Sequence, residues 1–175
     1  MTNVMIDIET LGKTQNAVIA SIAAVKFNIN GLKEELYKVC YNYQTTRELD
    51  LPTVKWWMAQ SEEAREIFTN KEIKVVSLKE ALVDLKDFIS RDDNVWANGV
   101  LFDIGILEHA FRSEKILFPW TYGKIRCLRG IRAIFPEYED IMNEIRVKVS
   151  HNALDDTKCQ ANALIALAKL KGFTL

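Results

Sequence analysis

Along the chain the apolar positions repeat every second residue at first and every three to four residues later. Over residues 4–9, Val4, Ile6 and Ile8 alternate with Met5, Asp7 and Glu9. A period of two puts each set on its own face of a strand. Residues 17–27 (AVIASIAAVKF) are an apolar run of small and branched side chains, the pattern of a buried central strand. Asn30-Gly31 follows, a strong short hairpin signal, and residues 32–43 alternate loosely as a third strand. These segments predict an antiparallel three-strand meander. Residues 53–68 then read as helix, with a break at Ser61. Ser77 and Glu80 form a capping box before a helix with Leu78, Leu82, Leu85, Phe88 and Ile89 at helical spacing. Residues 94–97 (NVWA) make a short strand ending at Asn98-Gly99, and 102–112 a helix with Ile104, Leu107 and Phe111 on one side. A fifth short strand falls near 116–119 or 124–127. Helices follow over 128–134 and 138–146, and a last one runs from about Ala153 to Lys171, stopped by Gly172. This order predicts an α/β layer fold with a mixed five-stranded sheet flanked by helices.

Composition narrows the class. The 175 residues suit one domain spanning 1–175, and 49% apolar with 27% charged residues exclude a disordered or fibrous chain. No run reaches the roughly 18 apolar residues of a membrane span, and the start, MTNVMIDIET, lacks the basic n-region of a secretory leader. Cys40, Cys127 and Cys159 are odd in number and far apart, so reduced core thiols and a cytoplasmic location are expected. The 23 Lys and Arg against 24 Asp and Glu give a net charge of −1, which argues against a generally basic nucleic-acid-binding surface.

The acids change that picture. Asp7 and Glu9 share one face of the first strand, where neighbouring carboxylates repel unless a cation sits between them. Asp156 lies on the apolar stripe of the last helix with Cys159, Gln160, Ala163, Leu164 and Leu167, whereas Asp155 lies on the wetter side. A carboxylate on a core-facing stripe needs a partner or a metal. The competing explanation, favourable placement near a helix N-terminus, serves Asp155 better. Asp103 opens a helix and alone has the same bland explanation. His151 stands five residues before Asp156, near enough in sequence to reach the same site, and an imidazole is the side chain suited to general-base work near neutral pH.

Together these pieces are specific: D-x-E at Asp7 and Glu9, N-G-x-x-F-D from Asn98 to Asp103, and H-x-A-x-D-D from His151 to Asp156. The pattern, from residue 5 to about 168, resembles the DEDDh 3′–5′ exonuclease family of the ribonuclease H-like fold. IDIETLG, WWMAQSEEAR (56–65) and KIRCLRGI (124–131) are similar more narrowly to the phage exodeoxyribonuclease A group and to related small stand-alone 3′–5′ exoribonucleases.

The resemblance implies a hydrolase that removes nucleoside 5′-monophosphates from the 3′ ends of single-stranded RNA or DNA, or from 3′ overhangs. It implies two divalent ions, Mg²⁺ or Mn²⁺, held by Asp7, Glu9, Asp103 and Asp156. Asp7 would bridge them, Glu9 and Asp156 would hold one, and Asp103 the other. His151 would be the general base, taking a proton from the attacking water. All-oxygen ligands suit these ions rather than zinc, and two such ions can stabilise both the attacking and the leaving oxygen. Thr10 and Leu11 would lie beside the terminal nucleotide, with Asn98 and Phe102 in the substrate pocket. Trp56 and Gln60, four apart, share a helix face that could meet a base. Val54, Trp57 and Met58 share the core-facing one.

Lys124, Arg126, Arg129 and Arg132 form a basic run that fits either a solvated face or a phosphate track. Setting the four motif acids aside moves the net charge from −1 to +3, so the rest of the chain is mildly basic. Salt-sensitive binding of ends is expected, not tight binding along duplexes. Related exonucleases are often dimers, so a homodimer is compatible with the sequence but not required by it. A phage-encoded chain would work in the host cytoplasm. The alternative is a non-catalytic nucleotide- or nucleic-acid-binding module on the same fold, which need not keep all five motif residues.

Overall fold

The computed structural model describes residues 2–145 and 151–175. The strands are β1 (Asn3–Thr10), β2 (Ile19–Asn28), β3 (Gly31–Val39), β4 (Asn94–Ala97) and β5 (Ile125–Cys127). They form one sheet in the order β3-β2-β1-β4-β5. The β1–β2 and β2–β3 pairs are antiparallel, whereas β1–β4 and β4–β5 are parallel. The fifth strand therefore takes the later of its two predicted positions. The helices are α1 (Leu51–Met58), α2 (Glu62–Thr69), α3 (Leu78–Phe88), α4 (Asp103–Ser113), α5 (Leu128–Ile134), α6 (Glu137–Ile145) and α7 (Ala153–Lys171). Residue 146, at the end of the predicted 138–146 helix, lies outside the described residues.

Both faces of the sheet are covered, and β1 shows how the alternation decides what covers each. Val4, Ile6 and Ile8 join Leu78, Ala81, Leu82 and Leu85 of α3 and Ile104, Leu107 and Phe111 of α4 in one core. Met5 points the other way, into a second core with Trp96, Tyr138 and the α7 residues Ala161, Leu164 and Leu167. Asp7 and Glu9 continue the Met5 face, so they sit under α7. A smaller cluster of Ala20, Trp57, Ala64 and Ile67 fastens α1 and α2 to the end of the sheet.

Several local expectations shift. The β2–β3 turn falls on Ile29 and Asn30, with Asn28 paired to Gly31, and Gly31 takes the positive φ of 131° that only glycine adopts readily. β2 begins at Ile19, because Ala17 bridges to Glu48 instead, and β3 ends at Val39. Met58 is 71% exposed, so of the face it shares with Val54 and Trp57 only Trp57 is buried. Cys40 and Cys159 are buried free thiols, whereas Cys127 is exposed, because it caps the start of α5 at the sheet edge.

Candidate active site

The geometry starts where β1 and β4 stop running side by side. Their parallel pairing ends at Ile6 with Ala97. Beyond it the chain of β4 turns through Asn98 and Gly99 into α4, while β1 runs on through Asp7 and Glu9. A register shift lies between Glu9 and Thr10, the kind of irregularity that re-aims side chains beside active sites. The crevice beyond the carboxyl ends of parallel strands is where α/β sheets bind ligands.

Asp103, only 4% exposed, is fixed by its own turn: its Oδ2 accepts from the Gly99 N–H at 3.1 Å. α7 opens with Asn152, whose Oδ1 accepts from the N–H groups of Leu154 and Asp155 at 3.0 and 3.3 Å. That cap spares Asp156 for another task, and its Oδ2 accepts from the His151 N–H at 3.1 Å. His151 holds φ at 70°, a left-handed conformation that costs a non-glycine residue about 1–3 kcal/mol and clusters at functional sites. Asp7 is tied across the cleft, its Oδ1 accepting from the Gln160 amide at 3.2 Å.

The five motif residues, Asp7, Glu9, Asp103, His151 and Asp156, line one cavity of about 330 Å³. Ligand atoms of Glu9, His151 and Asp156 lie within 4.8 Å of one another. His151, expected as a base, is thus close enough to two of the carboxylates to share a cation with them. Trp56 meets its ring edge-on, with centroids 4.7 Å apart and planes at 83°.

Electrostatically the cluster is unbalanced. Burial, then Asp103 and Asp156, drive the Asp7 carboxyl far above the usual carboxylate range, and Gln160 only partly opposes this. Burial, followed by Asp7, Asp156 and Asp103, pushes Glu9 up to about 10. Burial raises Asp103 to about 6 against the pull of the Gly99 and Ile8 N–H groups and Arg129. Carboxyls this hard to ionise together need added positive charge to act as carboxylates. The donor set is rich in oxygen, as hard divalent cations prefer. Asp7, Glu9, Asp103 and Asp156 therefore fit a divalent-cation centre.

Of the predicted substrate positions, Thr10, Trp56 and Phe102 line a second, more apolar cavity of about 520 Å³. Ile8, Glu9 and Phe102 line both cavities, so the two are neighbours. Asn98 lines the acidic one. The structure does not bring Leu11 and Gln60 to either cavity. Leu11 packs behind Trp57 and Phe68. Helix α1 ends at Met58, so Gln60 leaves the Trp56 face and donates its amide to the Trp56 carbonyl at 2.9 Å. Trp57 is a structural anchor, its indole N–H donating to the Thr10 carbonyl at 2.9 Å.

Gln160 and Asn143, which the sequence did not mark as site residues, also line the acidic cavity, as do Arg129 and Arg132 of the basic run. Gln160 was findable, one helical turn beyond Asp156 on the same stripe. The basic run splits. Lys124 donates to the Asp92 carbonyl and Arg126 to the carbonyls of Gly123 and Ile125, whereas Arg129 and Arg132 face the cavity.

Residues 2–168 match the model of the family described as the 3′-5′ exoribonuclease Rv2179c-like domain. No curated protein matches the chain. Among solved structures the chain is similar to the nuclease domain of 3′hExo, a DEDDh family member bound to rAMP. The TM-score is 0.72 at 11% identity, over 99% of this chain and 94% of that one. It is similar to cell-death related nuclease 4 (CRN-4), with TM-score 0.69 and 13% identity over 97% and 64% of the two chains. It is also similar to the zinc-ion-bound E. coli ExoI–ssDNA complex, with TM-score 0.65 and 19% identity over 97% and 40%. At these identities the likeness establishes a shared ribonuclease H-like fold, the one expected from the motif pattern.

Proposed function

This chain belongs to the 3′-5′ exoribonuclease Rv2179c-like domain family, a 3′–5′ exonuclease of the DEDDh type, and on that premise we propose how its cleft works. Residues 1–175 act as one nuclease domain that removes nucleotides singly from the 3′ end of a single strand. Asp7, Glu9, Asp103 and Asp156 would hold two divalent ions, Mg²⁺ or Mn²⁺. When bound, such ions neutralise the charge developing on a phosphodiester and make water acidic enough to attack it near neutral pH. The observation that carries the reading is the convergence of four acids from three elements with His151 on one cleft, with the carboxyls of Asp7, Glu9 and Asp103 held away from ionisation.

His151 accepts the proton of the attacking water on an imidazole nitrogen. Its backbone bond to Asp156 and the edge of Trp56 set the ring's position. The new P–O bond forms to the water oxygen, the bond to O3′ of the next nucleotide breaks, and that O3′ takes a proton from solvent. The product is a nucleoside 5′-monophosphate. Thr10, Trp56 and Phe102 take the terminal nucleoside in the apolar cavity, where stacking tolerates any base.

The rAMP bound to the 3′hExo neighbour and the ssDNA bound to E. coli ExoI support a nucleic-acid strand as the substrate class. The family's description favours RNA over DNA. The zinc ion of the ExoI structure supports a divalent cation in this fold, and the oxygen-rich donors here favour Mg²⁺ or Mn²⁺. No helix among the described residues is long and apolar enough to cross a membrane.

The test is a time course on matched 5′-labelled single-stranded RNA and DNA and on duplexes with 3′ overhangs, with Mg²⁺, products read by mass. The expected result is stepwise shortening from the 3′ end with nucleoside 5′-monophosphates, RNA fastest. Wild-type protein that shortens none of these strands overturns the enzyme reading in favour of a binding module.

A further inference from the structure

Among the described residues, one arginine of the acidic cavity is not used by the fold. Arg132 is committed, with Nη1 donating to Asn98 Oδ1 at 2.9 Å and Nε to Glu139. Arg129, next to it on α5, is exposed and makes no hydrogen bond or ion pair among the described residues. Its guanidinium occupies the space above Gly99, where an added Cβ would come within 3.3 Å of Cζ and 3.4 Å of Nη2. It is close enough to Asp103 to pull on that carboxyl.

The two cavities give the strand a direction. If the terminal nucleoside fills the Thr10–Trp56–Phe102 cavity and the scissile phosphate lies at the carboxylates, the strand must leave through the acidic cavity, past Asn98 and Arg129. Cations at the carboxylates offset the acids, but the next phosphate on the way out still needs a counter-charge. A guanidinium fork matches two phosphate oxygens at once and is less strongly hydrated than an ammonium group.

We propose that Arg129 forms a second phosphate subsite, binding the phosphodiester one linkage 5′ of the bond being cut. The proposal rests on the exonuclease reading above and names a substrate contact within it.

The test compares a trinucleotide with one whose 5′-side linkage is a neutral methylphosphonate, each with wild type and Arg129→Ala, in whichever sugar the wild type degrades. One lost charge-assisted contact is expected to lower kcat/KM about 10–100-fold, mainly through KM. Arg129→Ala is expected to show that loss on the ordinary trinucleotide and no further loss on the neutral one. Arg129→Lys should recover part of it by keeping the charge. Equal loss on both substrates would instead place Arg129 at the scissile phosphate, at Asp103 or in the fold, and so overturn the subsite. So would no loss on the ordinary trinucleotide. Failure of the underlying exonuclease reading is distinct, since wild type would then release nothing from either substrate.

Discussion

The two faces of β1 are built from alternate residues of one short segment and do opposite work. Val4, Ile6 and Ile8 are buried against α3 and α4 in a dry core. Asp7 and Glu9, on the Met5 face under α7, crowd carboxyls where ionising them is costly. The aliphatic face stabilises the sheet. The acidic face destabilises it when no cation is present, and returns a rigidly held set of oxygen donors. Strain at a site is tolerated only when the surroundings over-determine it, and here the aliphatic face does that on the same backbone.

Substitutions on either side of the strand should therefore separate activity from stability. The largest effect is expected from Asp7→Asn. Loss of ion-mediated stabilisation of several kcal/mol corresponds to a fall of roughly 10³-fold or more in nucleotide release, with the fold intact by circular dichroism. His151→Ala should lower kcat by roughly 10²–10⁴-fold, the usual contribution of a general base, again with no loss of stability in urea. Across the strand, Ile6→Ala should cost about 2–5 kcal/mol in urea unfolding while the folded fraction keeps its turnover. A variant of Ile6 that loses turnover while still folded would break the division between the faces. Trp56→Ala should weaken strand binding by about 1–3 kcal/mol, read in KM, through lost stacking.

A further effect concerns pH. Glu9 and Asp103 hold protons in the fold, at about 10 and about 6, that the unfolded chain releases near the ordinary 4.5 and 3.8. Stability from these groups is present below the unfolded values and is lost as pH rises toward the folded ones. In EDTA, wild type should thus lose stability relative to Glu9→Gln between pH 5 and 8, and Mg²⁺ should shrink that difference. Parallel curves would mean that Glu9 is not held protonated.

Much of this was legible in the sequence, for physical reasons that differ by residue. The alternation at 4–9 fixes which side of the strand each acid takes, and the sidedness of α7 separates Asp156 from Asp155. Gln60 misled, because its i,i+4 relation to Trp56 requires a helix that ends at Met58. Leu11 misled because adjacency to Glu9 says nothing of direction once the strand register shifts at Thr10. Arg129 and Arg126 look alike in KIRCLRGI. Only the fold shows that one turns to backbone carbonyls and the other to the acids.

The most direct test of the central claim, that the acidic face of β1 is a divalent-cation centre, is thermal unfolding of wild type and Asp7→Asn in EDTA and in rising Mg²⁺. A metal present at 100 times its Kd adds about 2.7 kcal/mol, which for a chain of this size raises Tm by roughly 5–10 °C. Wild type should start lower in EDTA and rise with Mg²⁺, whereas Asp7→Asn should start higher and stay nearly flat. An equal rise in both proteins, or none in wild type, would contradict the claim.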